Sequence, residues 1–225
     1  ARRHPKLKVH FARLGEPTLN PATVEALERL SAEWGGPGLV ASISTVAPDS
    51  PVAAAQLEAI REVKDRLYGG GRFQLQFSAH STDEAVRRRV MRARPWSLDR
   101  VADFGRRWWK PGDRKVTLNF ALAPDQPLDG AAVARLFDPE RFLVKITPIN
   151  PTRAATENGA SRLWTEPPAD VAAAHAALRA RGFEVILSPS TAEEVSAATS
   201  CGQLWSQVLR DEARAGLRAE RLLNE

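Results

Sequence analysis

The sequence predicts an α/β fold built on a parallel sheet. Short apolar strands of period two alternate with helical segments of ten or more residues, the pattern of repeated βαβ units. Hydrophobic residues make up 43% of the 225 residues and no low-complexity linker interrupts them, so we expect a single domain over 1–225 with a sizeable core. The sheet is either open or curled into a barrel. Strands are predicted at 7–11, 39–43, 73–77, 115–122, 142–146 and 183–187.

Helix starts and stops divide the strands. Asn20-Pro21 and Ser50-Pro51 are typical helix beginnings, and the glycines at 69–71 end the second helix. Residues 151–167 are the longest stretch without clear periodicity, and loops of that length are often functional. Further helices are predicted at 82–91, 97–109, 131–137, 168–181 and from about residue 204.

Composition excludes several classes of protein. The 32 Lys and Arg residues exceed the 27 Asp and Glu residues, and the net charge of +5 permits a polyanionic partner without requiring one. The single cysteine excludes an intrachain disulfide and a metal cage of thiolates from this chain alone, and we predict no metal ligands in it. No apolar run approaches the ~20 residues of a membrane span and no signal peptide opens the chain, so we expect no membrane partner and a cytoplasmic location.

Small or polar residues follow several predicted strands directly. In parallel α/β folds, chemistry gathers at the carboxyl ends of the strands. Each such residue alone is more simply a turn or a helix cap, but four sets on one rim favour a site for a polar ligand. The four sets are Gly15-Glu16, Ser44-Thr45, Ser78 with His80, and Asn150.

The same residues carry a family resemblance. In chain order the segments are Gly15-Glu16-Pro17, Ser44-Thr45, Ser78-Ala79-His80, Pro148-Ile149-Asn150-Pro151 and Cys201-Gly202-Gln203-Leu204. Together they resemble the radical S-adenosylmethionine (SAM) methyltransferases that modify an adenosine of 23S ribosomal RNA, including the chloramphenicol–florfenicol resistance branch. The resemblance runs from Leu7 to about Leu209. It implies a partial TIM-type (β/α) barrel that lacks its first strand in this chain.

The resemblance also implies roles. Gly15 and Glu16 would hold the amino group of the SAM methionine moiety, and Asn150 would reach SAM from a later strand. The rest of the SAM pocket would be lined by Ser44, Ser78, Ala79 and His80. Cys201 would be the catalytic cysteine, methylated and passing the group to an adenine carbon after a 5′-deoxyadenosyl radical forms.

The chain also departs from that family. The family holds a [4Fe–4S] cluster on a loop of three cysteines, reduced by a donor such as flavodoxin, and this chain has no such loop. We therefore expect it to be the part that follows the loop, and to be inactive alone. Residues 192–200 differ from the family's acidic stretch, and Asn119 stands where the family often has an acidic residue.

Alternatives remain open. Cys201 is otherwise a small buried hydrophobe. Arginines and lysines interleaved with Trp96, Trp108 and Trp109 between residues 87 and 115 suit RNA contact, or equally a solvated pair of helices whose tryptophans face the core. A radical SAM enzyme acting on a small molecule or a peptide, and a cluster-free binding module on the same fold, are the other hypotheses.

Overall fold

A six-stranded, all-parallel sheet with strand order β1-β2-β3-β4-β5-β6 organises the chain. The computed structural model describes residues 6–12, 15–91, 93–123, 126–150, 153–157, 159 and 162–189. Each strand pairs with the next in sequence, and β1 and β6 form the two edges among these residues. The strands are β1 (Leu7–Phe11), β2 (Leu39–Thr45), β3 (Phe73–Ser78), β4 (Val116–Ala121), β5 (Phe142–Thr147) and β6 (Glu184–Leu187).

Helices connect successive strands. A 3-10 turn over Pro17–Leu19 follows β1 and leads into the first helix. The helices are α1 (Ala22–Trp34), α2 (Pro51–Leu67), α3 (Glu84–Val90), α4 (Leu98–Trp108), α5 (Gly130–Leu136), α6 (Arg153–Glu157) and α7 (Ala169–Arg179). Such crossovers between adjacent parallel strands are almost always right-handed, which places their helices on one side of the sheet.

The core lies between that helical layer and one face of the sheet. Alternate strand residues such as Ile43, Leu75 and Leu118 are at most 1% exposed and join the same apolar cluster as Leu57 of α2 and Phe104 of α4. Side chains of a strand alternate between its two faces. Because the apolar positions of every central strand fall on the same face, the helices cover that face and the opposite one is left to the intervening residues.

One glycine sets how closely α4 approaches the sheet. A Cβ built on Gly105 would come within 2.3 Å of the Phe142 ring. The helix therefore packs directly against an aromatic side chain of β5, and its neighbours Phe104 and Trp108 contact Phe77 and Phe73 edge-on. This contact fixes the height of α4 above the middle of the sheet.

The predicted α/β class and the parallel sheet are confirmed, and all six strands lie within two residues of the predicted bounds. The sheet is not closed among the described residues, and the helix predicted from residue 204 lies outside them. Two predicted caps differ. Asp83 rather than Thr82 begins α3, because its carboxylate accepts from the Ala85 and Val86 amides while Thr82 donates to the Pro127 carbonyl. The N-cap of α1 is Pro21, one residue after Asn20.

Candidate functional site

The face of the sheet opposite the helices is polar. We call it the polar face. All-parallel sheets are usually apolar on both faces because helices cover both. Here most alternate residues of β2 to β5 are polar, so hydroxyl, amide and amino groups line most of one surface, together with the apolar side chains of Val40 and Leu143. Its members include Lys8, His10, Ser42, Ser44, Gln74, Gln76, Ser78, Thr117, Asn119, Lys145 and Thr147.

Hydrogen bonds cross the polar face from strand to strand. The Ser44 hydroxyl lies 2.8 Å from Nε2 of His10 on β1 and accepts from Nε2 of Gln76 on β3 at 3.0 Å. Gln74 donates from Nε2 to the Thr117 hydroxyl on β4 at 2.6 Å. These contacts link β1, β2, β3 and β4. They hold the side chains of His10, Ser44, Gln74, Gln76 and Thr117 in place before any ligand binds.

Positive charges meet across the polar face. The pKa of Lys8 is lowered, chiefly by burial and then by the charges of Arg114, Lys145 and Lys6. Lys8 lies on β1 and Lys145 on β5, so cationic side chains from both sides of the polar face contribute to its positive potential.

Glu16 ties the end of β1 to the end of β2. Its Oε1 accepts from the Thr18 amide at 3.0 Å, from the Thr18 hydroxyl at 2.7 Å and from the Thr45 hydroxyl at 2.6 Å. Its Oε2 accepts from the Val46 amide at 2.9 Å. A carboxylate has about four acceptor sites, two on each oxygen, so Oε1 is fully used by protein donors and Oε2 keeps one site for a further donor such as a ligand ammonium.

Gly15 supplies a backbone conformation and open space. Its φ of +87° lies in the left-handed region that other residues avoid, and nothing lies within 4 Å of a Cβ built there. The chain therefore turns sharply between β1 and Glu16 and leaves room for the close approach of another molecule.

Ser78, Ala79 and His80 leave the end of β3 beside β4. The Ala79 and His80 amides both donate to the Asn119 carbonyl, at 2.8 and 3.3 Å. Ala79 is 2% exposed and its own carbonyl accepts from Arg87 at 3.0 Å. The backbone of Ala79 therefore fixes the turn that follows β3. Within this segment, the side chains of Ser78 and His80 are the ones near the carboxyl ends of the strands.

His80 is held in an unusual state. Its φ is +63°, and its pKa is lowered from 6.5 to about 4, mainly by burial and further by the charge of Arg87, while a hydrogen bond with the Ala121 backbone opposes the shift. The ring is therefore neutral at pH 7. A neutral ring near the rim can accept or donate a hydrogen bond without adding charge.

The low pKa of His80 predicts a pH-dependent stability. The unfolded chain takes up a proton near pH 6.5 and the folded chain only near pH 4, so the free energy of unfolding should fall by about 1–3 kcal/mol as the pH drops through this window. Urea titrations between pH 7.5 and 4 measure it. His80→Asn, which tolerates the same φ, should flatten the dependence. An unchanged slope in that variant would contradict this account.

Two predicted site residues remain, Asn150 and Cys201. Asn150 lies three residues beyond β5 and is half-buried, next to the bridge that pairs Ile149 with Arg162. Cys201 lies outside the described residues. The structure thus places Gly15 and Glu16 after β1, Ser44 near the end of β2, and Ser78 and His80 at and after the end of β3. Glu16 contacts Thr45 and Val46, whereas Ser44 contacts His10 and Gln76 on the polar face.

Four polar residues of this site are not predicted from the sequence, because they lie within the strands and not at their ends. They are His10, Gln74, Gln76 and Thr117. The signal was present in the segments KVHF, FQLQFS and VTLNF, where every second residue is polar in a sheet predicted to be parallel. Because both faces of such a sheet are normally apolar, this alternation predicts a polar, ligand-accessible face.

The cationic segment between residues 87 and 115 is mostly neutralised. Trp96 and Trp108 are 3% and 1% exposed and belong to the core. Most of its cations contact carboxylates, which favours the hypothesis of a solvated helical layer. The ion pairs among the described residues are Arg87–Glu84, Arg94–Asp49, Arg100–Asp49, Arg106–Asp103, Arg107–Glu58, Lys110–Asp65 and Lys115–Glu184.

A surface groove of about 680 Å³ lies on this helical layer, away from the polar face. It runs between α2 and α4, with Trp96 and Phe104 on its floor and Arg107 at its side. Arg100 stacks over the Trp96 ring at 4.1 Å and Arg107 over Phe104 at 5.4 Å. The groove lacks the concentration of hydroxyl and amide groups seen on the polar face, so we place the candidate site on the latter.

Among the residues described above, no group of three or more histidine, cysteine, aspartate or glutamate side chains is placed to hold a metal ion. Within the same ranges, no helix has the length and apolar character needed to cross a bilayer. Comparison with family models, with curated proteins and with solved structures gives no match to this chain.

Proposed function

We propose that this chain is the SAM-binding part of a radical SAM methyltransferase-like enzyme, built on a partial TIM-type barrel, whose substrate is an adenine carbon of ribosomal RNA. The observation that carries the proposal is the polar face of an otherwise apolar parallel sheet, ending in Gly15, Glu16, Ser44, Ser78 and His80. The order of the strand-end motifs along the chain supports the family assignment.

The residues present suit a nucleoside that carries an amino acid. Hydroxyl and amide groups on the polar face match ribose and base edges, and the open backbone at Gly15 lets a ligand approach closely. SAM supplies the methyl group and, in this family, the radical precursor. The part of this chain would be to hold the ligand, orient it and exclude water.

The [4Fe–4S] cluster of that family does not fit this chain. Three thiolates are needed to leave one iron free for SAM, and the sequence contains one cysteine. The thiolates for such a cluster would have to come from residues other than those of this chain.

Ligand binding tests the proposal directly. S-adenosylhomocysteine, which cannot transfer a methyl group, should bind the purified chain with 1:1 stoichiometry in isothermal titration calorimetry. Ser78→Ala removes one hydroxyl from the end of β3 and should weaken binding roughly tenfold, since a lost ligand hydrogen bond is worth about 1 kcal/mol or more. Ser31→Ala on α1 is the matched control. Absence of saturable binding at millimolar ligand would reject the proposed function.

A second candidate substrate class is a small molecule or a peptide. The ion pairs of the 87–115 segment favour it, because arginines already bound to carboxylates contribute less to phosphate contacts. Binding of a ribosomal RNA fragment at 50 and 200 mM salt separates the two. A steep loss of affinity with salt supports RNA, and weak, salt-insensitive binding supports the small substrate.

A further inference from the structure

An unsatisfied acceptor lies on the polar face at Asn119. Its side-chain Oδ1 is buried and has no hydrogen-bond partner. Its backbone carbonyl, in contrast, accepts from the Ala79 and His80 amides. Leaving a buried polar group unpaired is destabilising, and most such groups in folded proteins find a partner. A donor from outside the chain would remove this cost.

The surroundings of Asn119 restrict what that donor can be. In the sheet register Asn119 is paired with Ser78 on one side and with Lys145 on the other. A ligand ammonium placed at Asn119 would lie beside the Lys145 ammonium and be repelled by it. A neutral donor is therefore favoured over the amino group of an amino acid.

We propose that Asn119 recognises the 6-amino group of an adenine held on the polar face, an inference that rests on the proposed function. A carboxamide presents an acceptor and a donor side by side, which matches N6–H and N7 of adenine. Oδ1 of Asn119 accepts from N6 and its amide nitrogen donates to N7. The neighbouring Ser78 hydroxyl is left for the ribose. Asn119 is thus a specificity residue that selects a 6-amino purine over a 6-oxo purine.

Calorimetry with two ligands tests this assignment. S-adenosylhomocysteine and S-inosylhomocysteine differ at position 6 of the purine, where an oxygen acceptor replaces the amino donor. The wild-type chain should bind the adenosyl ligand roughly tenfold or more tightly, the range for one bidentate amide–adenine contact. Asn119→Ala should reduce this preference to about twofold or less. Gln56→Ala, which removes an exposed carboxamide from α2, should leave it unchanged.

Asn119→Asp keeps the inference testable if the alanine variant does not fold. The aspartate retains an acceptor for N6 and repels the 6-oxo group, so the preference for the adenosyl ligand should persist or increase. Equal weakening of both ligands in Asn119→Ala, or loss of the preference in Asn119→Asp, would overturn the inference. Binding of neither ligand to the wild-type chain would instead reject the proposed function and this inference with it.

Discussion

Glu16→Ala is expected to lower the free energy of unfolding by about 2–4 kcal/mol. The substitution removes one acceptor for four donors, and it leaves the hydroxyls of Thr18 and Thr45, 0% and 2% exposed, without their partner. Hydrogen bonds to a charged group are worth about 1.5–3 kcal/mol each, and an unsatisfied buried group costs about 1–3 kcal/mol. Urea unfolding followed by circular dichroism measures the loss.

Glu33→Ala is the control for that measurement. Glu33 pairs with Arg29 at 3.3 Å on the surface of α1, where both side chains are more than half exposed. Exposed pairs contribute little, so this change should stay within about 0.5 kcal/mol. Equal losses in the two variants would show that Glu16 does not hold the ends of β1 and β2 together.

Glu16→Ala also has a consequence for ligand binding. If Glu16 acts only as a structural tie, S-adenosylhomocysteine should still bind Glu16→Ala at temperatures where the variant stays folded, with reduced affinity because the rim is less fixed. If Glu16 also holds the ligand ammonium, binding should disappear under those conditions. The proposed function favours the second result.

Arg87→Met should cost about 2–3 kcal/mol, because a buried guanidinium loses its hydrogen bonds and the Trp96 carbonyl is left unpaired, while Glu84 is partly exposed. The guanidinium is 1% exposed. It donates to the Ala79 carbonyl at 3.0 Å, to the Trp96 carbonyl at 3.0 Å and to the Glu84 carboxylate at 2.8 and 2.9 Å. Methionine fills part of the volume but supplies no donor, so the Trp96 carbonyl loses the guanidinium, whereas the Ala79 carbonyl still accepts from the Ser81 amide and Glu84 from the Leu98 amide.

Arg88 provides a matched control one residue away. It is exposed on the outer side of α3, so Arg88→Met should change stability by less than about 0.5 kcal/mol. Chemical denaturation of both variants at pH 7 makes the comparison. A loss below about 1 kcal/mol for Arg87→Met would contradict the role assigned to its guanidinium in fixing the turn after β3.

The strands could be predicted closely because their cause is local. Apolar residues at every second position, bounded by glycine or proline, define a strand without knowledge of its neighbours. Helix starts were less certain, because adjacent residues compete for the cap. Asp83 prevails over Thr82, since Thr82 is drawn instead to the Pro127 carbonyl on a distant segment.

For a related reason, the site residues at the strand ends could be predicted, and the polar residues within the strands could not. Residues at strand ends can be recognised from their place after an apolar run. The partners of Glu16 depend on which strand lies beside β1, and the orphaned acceptor of Asn119 depends on what surrounds it. The arginines of 87–115 likewise appear as a cationic patch along the chain, and only the packed helices bring carboxylates such as Glu58 to them.

The outer edge of β1 determines how strongly the polar face can act on a ligand. Beyond Lys8 and His10 no further strand is paired in the described chain, and Leu7 is 48% exposed there. Water therefore reaches the polar face from this flank, and the high dielectric constant of water weakens the charge–charge and charge–dipole interactions there. An additional strand paired with that edge would exclude water from the polar face. It would strengthen those interactions without altering a single side chain of that face.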